Sequence, residues 1–164
     1  MKLPFSGGGK ASVIVGGFMA LAITIVAGFE GLYPKAYRDP VGIPTICYGH
    51  IEGVRMGDTM TVQQCKDLLA TDLVAYDKAM MACVKVPLSP QEHAAYLSFA
   101  YNVGTGGWCK STSLRKLNAG DRLGACDGLL AWNKATKNGR KIVLPGLDRR
   151  RKEERILCRS GVRT

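Results

Sequence analysis

The hydrophobic pattern of the chain breaks most sharply near its start. Residues 11–29, ASVIVGGFMALAITIVAGF, run 19 positions without a charged side chain and are bracketed by Lys10 and Glu30. A helix of that length rises about 28 Å, close to the roughly 30 Å hydrocarbon core of a bilayer. Nine of the 19 residues are Ala, Gly, Ser or Thr, which lose less on leaving lipid than Leu or Ile. Lys2 and Lys10 ahead of the stretch favour a cytoplasmic N-terminus and an exported remainder, a bias that Lys35 and Arg38 weaken. Three fates are open. The pattern favours an export segment that stays part of the chain. A cleaved signal peptide would use the small-x-small site Ala20-Leu21-Ala22, but a cut near Ala27 would leave almost nothing ahead of Glu30. A helix buried in an ordinary core leaves the lack of a polar face over about five turns unexplained.

After residue 30 the periodicity is that of short amphipathic elements. Glu30 to Tyr33 continues the apolar helix, with Pro34 as its limit. The stretch KAYRDPVGIPTICYGH reads as two short strands around the turn Asp39-Pro40-Val41-Gly42. A helix is predicted over 61–82: Thr61 and Gln64 form a capping box, and Val62, Cys65, Leu68, Leu69, Leu73 and Tyr76 form an apolar side. A second begins at Ser89-Pro90-Gln91-Glu92, with Ser as cap, Pro in the first turn and Glu at the third helical position. It runs to about Tyr101, before a Gly104-Thr105-Gly106-Gly107 break. Further helices are predicted at 111–118, 121–132 and 146–158, with a loop from Lys134 to Pro145. No repeat or composition break divides residues 30–164. The fold class is α+β, mostly helical with one small N-terminal β-hairpin, around a single core.

Composition narrows the class of partner. The 164 residues carry a formal charge of +10, of which residues 30–164 contribute 21 basic and 13 acidic side chains. Such an excess concentrates polyanions at the surface. No nucleic-acid-binding motif accompanies it, and the apolar start points to export, so a nucleic-acid partner is not expected. The run Asp148-Arg149-Arg150-Arg151-Lys152-Glu153-Glu154-Arg155 carries both signs at helical spacing and reads as a solvated helix face. Six cysteines, at 47, 65, 83, 109, 126 and 158, include no close ligand pair, which argues against a structural zinc cluster. Their even number suits an oxidising compartment, with 15 pairings open.

Candidate chemistry centres on Glu30, Asp39 and Thr45. Desolvation at the end of an apolar helix keeps a glutamic acid protonated for general-acid work. An aspartate in a Gly/Pro-rich turn stays solvated and ionised. Glycoside hydrolysis needs two carboxyls in unlike environments, one to protonate the leaving oxygen and one to activate water or attack. Thr45, one strand beyond Asp39, is placed to hydrogen-bond that water. Alone, the spacing is unspecific.

Longer stretches are more specific. GFEGLYPKAYRDPVGIPTICYGH at 28–50, LSFAYNVGTGGWCKSTSLRKLNAGD at 97–121, GACDGLLAWN at 124–133 and LPGLDRRRKEE at 144–154 together resemble the phage-type (T4-like) lysozymes, and more narrowly the lambdoid endolysins with a signal-arrest-release segment. The resemblance covers most of residues 28–158. It implies a lysozyme-like fold and a monomeric endolysin that needs no metal or organic cofactor. The activity it implies is an N-acetylmuramidase cleaving the β-1,4 bond between N-acetylmuramic acid and N-acetylglucosamine in peptidoglycan, causing host cell lysis. Glu30 would be the general acid. Asp39 and Thr45 would hold water on the opposite face of the sugar, an inverting arrangement with carboxyls about 6.5–9.5 Å apart. Ile51, Tyr101 and Ser113 match substrate-contacting positions. His50 would pair structurally with Asp72 rather than act as a base, and Arg149 or Arg150 would orient Glu30.

The same resemblance implies disulfides 47–65, 83–109 and 126–158. It divides the chain into a signal-arrest-release segment, 1–29, and a catalytic domain, 30–164. Residues 11–29 would hold the protein in the host inner membrane as a single pass before release to the periplasm, where the segment would pack on the enzyme. One departure is the loop Lys134-Ala135-Thr136-Lys137-Asn138-Gly139-Arg140-Lys141, longer and more charged than the connection often found there. Two other functions compete: a lytic transglycosylase using Glu30 without Asp39 as base, and a noncatalytic wall-binding module, against which the intact Glu30, Asp39 and Thr45 set argues.

Overall fold

The computed structural model describes residues 16–163. Residues 11–15, the first part of the apolar stretch, lie outside them. Among the described residues no helix is long and apolar enough to cross a membrane. Helix α1, Gly17–Glu30, instead packs on the protein through Met19, Ala22 and Val26, one face at helical spacing, while Leu21 stays exposed. It ends at Glu30 rather than continuing towards Pro34. Gly31, at φ 73°, turns the chain out of the helix, a conformation that costs glycine little, and Tyr33 and Pro34 already belong to a strand.

That strand, β1 (Tyr33–Arg38), pairs antiparallel with β2 (Pro44–Cys47), with Tyr37 opposite Thr45 and Arg38 opposite Pro44. Helix α2, Val62–Met81, carries the capping box on Thr61 and Gln64, and α3, Pro90–Val103, carries the one on Ser89 and Glu92. Helix α3 is the centre of the fold: residues 94–100 are all buried, and α1, α2 and the C-terminal helix pack around them. Tyr96 and Phe99 meet the buried Trp108, and Phe99 meets Trp132 edge-on.

The glycine-rich break after α3 is itself helical. Gly104 caps α3 at φ 85°, and α4, Thr105–Cys109, starts at once so that Trp108 can enter the core. Next come α5 (Thr112–Asn118) and α6 (Arg122–Gly128), then a 3₁₀ turn at Leu129–Trp132, so the single helix expected over 121–132 is two pieces. Helix α7, Pro145–Ser160, closes the domain.

Between them, the expected loop is a second hairpin, β3 (Lys134–Lys137) and β4 (Arg140–Val143). Its turn is Asn138-Gly139, with φ 50° and 74°. This pair of residues adopts the left-handed conformation that matches strand twist, and Thr136, Ile142 and Val143 supply β-branched flanks. The architecture is α+β: mostly helical, with a small N-terminal hairpin and this second one.

Three disulfides join Cys47 to Cys65, Cys83 to Cys109 and Cys126 to Cys158, the pairing the family resemblance implies. They fasten β2 to α2, the end of α2 to α4, and α6 to α7.

Candidate active site

Glu30 is the last residue of α1, and its side chain is 24 % exposed. Its Oε1 accepts a hydrogen bond from Arg150 Nη1 at 2.5 Å. On its other side is Gly49, where an added Cβ would meet Glu30 Oε2 at 3.8 Å and the Tyr101 hydroxyl at 3.9 Å. Gly49 has φ 91°. The left-handed backbone conformation therefore suits glycine at this position, and an added Cβ would sit at ordinary contact distance from the carboxyl. Tyr101 donates to the Tyr48 carbonyl at 2.9 Å. Burial, with the nearby Asp72 and Glu30 charges, pushes its phenol well above the usual range, so it stays a neutral donor.

Arg150 is itself held rigidly. Only 5 % exposed, it donates from Nε to Glu154 Oε1 at 3.1 Å and from Nη2 to the Ser98 carbonyl at 3.1 Å, and its guanidinium lies 4.9 Å from the Phe29 ring centroid. Glu154 is fully buried and also accepts from Ser98 Oγ at 2.7 Å. Its second arginine is Arg151, with Nε 3.0 Å from Glu154 Oε2. Arg151 also donates to Asn102 Oδ1 at 2.9 Å and stacks over Phe99. Burial lowers the Arg151 guanidinium to about 10 and raises the Glu154 carboxyl against the pull of both arginines. The run read as a solvated helix face is therefore two-sided. Positions 150, 151, 154 and 158 are buried, while Arg149, Lys152 and Ile156 face solvent.

Asp39 occupies the hairpin turn. Its Oδ1 accepts from the backbone N–H of Val41 at 3.0 Å and of Ile43 at 2.8 Å, which fixes the carboxylate within the turn. Thr45 is buried, with its hydroxyl donating to the Ile43 carbonyl at 3.0 Å. Tyr37, the cross-strand partner of Thr45, is a residue that sequence reasoning missed. Burial first, then Tyr33 and the charges of Asp39 and Glu30, raise its phenol. The signal available in the sequence was the alternation of β1, which puts Tyr37 two residues ahead of Asp39 on the strand facing Thr45.

The remaining candidates divide. His50 Nδ1 lies 2.8 Å from Asp72 Oδ2, and its Nε2 lies 2.9 Å from the Glu52 carbonyl, so both ring nitrogens are engaged. Ile51, just beyond the bridge between Ile46 and His50, is 52 % exposed. Two candidates are not at the site as expected. Ser113 is fully buried and donates to the Ala125 carbonyl, because the helical spacing of 113, 114 and 117 turns that face of α5 inward. It cannot touch a sugar. Arg149 is 73 % exposed and pairs with Glu153 along the outer side of α7, so Arg150 alone of the two reaches Glu30. Among the described residues no cluster of His, Cys, Asp and Glu is arranged to hold a metal ion.

Comparison with known proteins gives consistent matches. The phage lysozyme family model matches residues 27–154. The chain is 38% identical over 143 residues to the SAR-endolysin of Pseudomonas phage phiKMV, covering 87% of this chain and 89% of that one. Among solved structures, the muramidase domain of SpmX from Asticaccaulis excentricus is similar with a TM-score of 0.80 and 33% identity, over 84% of this chain and 93% of that one. An endolysin from Escherichia coli O157:H7 phage FAHEc1 is similar at a TM-score of 0.79 and 34% identity, over 88% and 94%.

Proposed function

The chain belongs to the phage lysozyme family, and from that membership and the site geometry we propose that Glu30 is the general acid of its glycosidase reaction. The protein is an endolysin of the muramidase type, a lysozyme-like glycoside hydrolase whose substrate is peptidoglycan. The bond cleaved is the β-1,4 link between N-acetylmuramic acid and N-acetylglucosamine.

The observation that carries the assignment is the asymmetric seating of Glu30. Arg150 holds one carboxyl oxygen, while the other lies beside Gly49, which also adjoins the Tyr101 hydroxyl. A carboxyl fixed on one side presents its second oxygen to the leaving group in a single orientation, which is what proton donation in the transition state requires. Asp39, locked by two backbone N–H groups, keeps a defined direction, and with Thr45 it holds a water on the opposite sugar face for inverting attack. Ile51 and Tyr101 line the sugar path, and His50 with Asp72 steadies the loop between the hairpin and α2.

The apolar start is read as a signal-arrest-release segment. Residues 11–29 cross the host inner membrane with the N-terminus cytoplasmic, then leave it, and the released chain acts in the periplasm through its catalytic domain, residues 30–164, with α1 packed on it. The packing of α1 supports this. It buries only a narrow face and leaves Leu21, Ile25 and Phe29 along an apolar groove shared with Ile156 and Leu157 of α7. A helix with small residues on one side and an apolar groove on the other suits both lipid and protein.

Mass analysis of products from purified peptidoglycan in ¹⁸O-labelled water tests the chemistry. Hydrolysis gives reducing muramic acid ends carrying one labelled oxygen. Anhydro ends would identify a transglycosylase, and no cleavage by the oxidised, folded protein would leave only a binding module.

A further inference from the structure

The hairpin β3–β4 lies outside the candidate active-site residues and is unusually basic. Lys134, Lys137, Arg140 and Lys141 fall within eight residues, and no Asp or Glu occurs between residues 128 and 147. All four are exposed, and among the described residues none of the four takes part in a side-chain hydrogen bond or ion pair. The cations of neighbouring α7 behave differently: Arg149, Arg150, Arg151, Lys152, Arg155 and Arg159 each have a carboxylate within 4 Å.

The register sharpens the contrast. Lys137 and Arg140 stand directly opposite each other across the Asn138-Gly139 turn, and like charges facing one another on a strand pair are destabilising. The fold supplies no acid to relieve that repulsion. The root of the hairpin is nevertheless fixed, since Leu144 N–H donates to the Asn133 carbonyl and the Asn133 amide donates to Asp148. Ile142, 38 % exposed, lies two residues beyond Arg140 on β4 and so shares the face of Lys137 and Arg140, while Val143, 50 % exposed, lies on the opposite face with Lys134 and Lys141. A local conflict of charge, held on a rigid support beside an exposed aliphatic side chain, is the pattern of a surface built for an external partner.

We propose that this hairpin is a docking element for the phosphate-bearing surface of an anionic phospholipid bilayer, with Lys137 and Arg140 sharing headgroup phosphates and Ile142, on the same face, entering the interfacial layer. The exposed Ile142 decides between the two polyanions an exported protein meets. Interfacial lipid accepts apolar side chains next to cations, whereas a hydrated wall polymer offers them nothing. The element is separate from α1 and independent of Glu30, so it would keep the released enzyme beside the membrane.

The test uses the full chain with K137A/R140A and, as a control for net charge alone, K85A/K110A, which removes two exposed cations elsewhere. Co-sedimentation is measured at low salt on vesicles of phosphatidylethanolamine with phosphatidylglycerol, on neutral phosphatidylcholine vesicles, and on purified peptidoglycan sacculi. Each cation near an anionic membrane contributes about fivefold to partitioning, so K137A/R140A should bind the anionic vesicles about 30-fold more weakly. Its binding to neutral vesicles and sacculi should not change, and K85A/K110A should lose no more than a few-fold. Because the substitution removes a repulsion, the melting temperature of K137A/R140A should be unchanged or slightly raised. Equal losses in the two variants, a loss confined to sacculi, undiminished vesicle binding, or a lowered melting temperature would each overturn the proposal.

Discussion

Replacing Glu154 with alanine is the perturbation that most strongly couples the stability of this protein to its chemistry. The carboxylate is fully buried between Arg150 and Arg151, which are 5 % and 0 % exposed, and it takes hydrogen bonds from Arg150 Nε and Ser98 Oγ. Removing it leaves two adjacent guanidinium groups without the carboxylate that joins them, and breaking a buried ion pair by deleting one partner costs about 3–5 kcal/mol. For a domain of this size that corresponds to a melting temperature lower by roughly 6–20 °C. E154Q keeps the volume and an acceptor for Ser98 but loses the charge, and it should fall between wild type and E154A. The effect should also reach catalysis. Arg150 would lose the anchor at Nε and be held only by Nη2 on the Ser98 carbonyl and by Phe29, so Glu30 is less firmly oriented and turnover should fall while KM stays near wild type. Thermal unfolding followed by circular dichroism, and hydrolysis of purified peptidoglycan at a temperature where both variants are folded, would measure the two effects. An E154A protein melting within 1 °C of wild type would refute the reasoning about the buried charges. Normal turnover in a folded E154A would refute the coupling to Glu30.

Three further outcomes follow from single contacts. G49A forces a side chain into a φ of 91°, with its methyl at ordinary contact distance from Glu30 Oε2 and the Tyr101 hydroxyl; it should cost about 1–3 kcal/mol and reduce turnover through the strained backbone beside Glu30, seen by paired melting and activity assays. Replacing Cys126 and Cys158 with serine opens a loop of sequence separation 32 and should cost about 3–4 kcal/mol by the loop-entropy relation, measured as a lower urea midpoint. Hydrogen bonds from Arg155 and then Arg159 hold the Asp127 carboxyl below the usual carboxylate range. A depressed folded pKa contributes stability that is present above the unfolded value of about 3.9 and lost as pH falls through the folded one. The pair is substantially exposed, so D127N should cost under about 1 kcal/mol at pH 7, and the difference from wild type should vanish in melts near pH 2.

The helices were legible because their ends are written locally. The Thr61/Gln64 and Ser89/Glu92 boxes mark N-termini whatever the tertiary context. The second hairpin was harder to read, because an Asn-Gly turn flanked by lysines lacks the apolar alternation that marks a half-buried strand. Its strands are exposed on both faces and owe their pairing to the turn. At the candidate site, the place of Glu30 at a helix end and of Asp39 in a hairpin turn could be read from the local pattern. Ser113 and Arg149 could not be placed that way, since the phase of their helices decides where they point. Ser113 turns into the core with Leu114 and Leu117, and Arg149 lies one residue from Arg150, which faces Glu30, while Arg149 faces water. The phase of a charged helix such as α7 is invisible when its buried face is itself ionic. Only a fully buried Glu154 across from Ser98 reveals which side is inside.

The role of Glu30 is tested most directly by the hydrolytic rate of E30Q, purified with its three disulfides formed and shown by its melting curve to be folded. Glutamine keeps the shape of the side chain and an acceptor for Arg150 but has no acidic proton to give the leaving oxygen. Turnover on purified peptidoglycan should fall about 10²- to 10⁴-fold, with binding to the polymer retained. Turnover within a few-fold of wild type in the folded variant would contradict it.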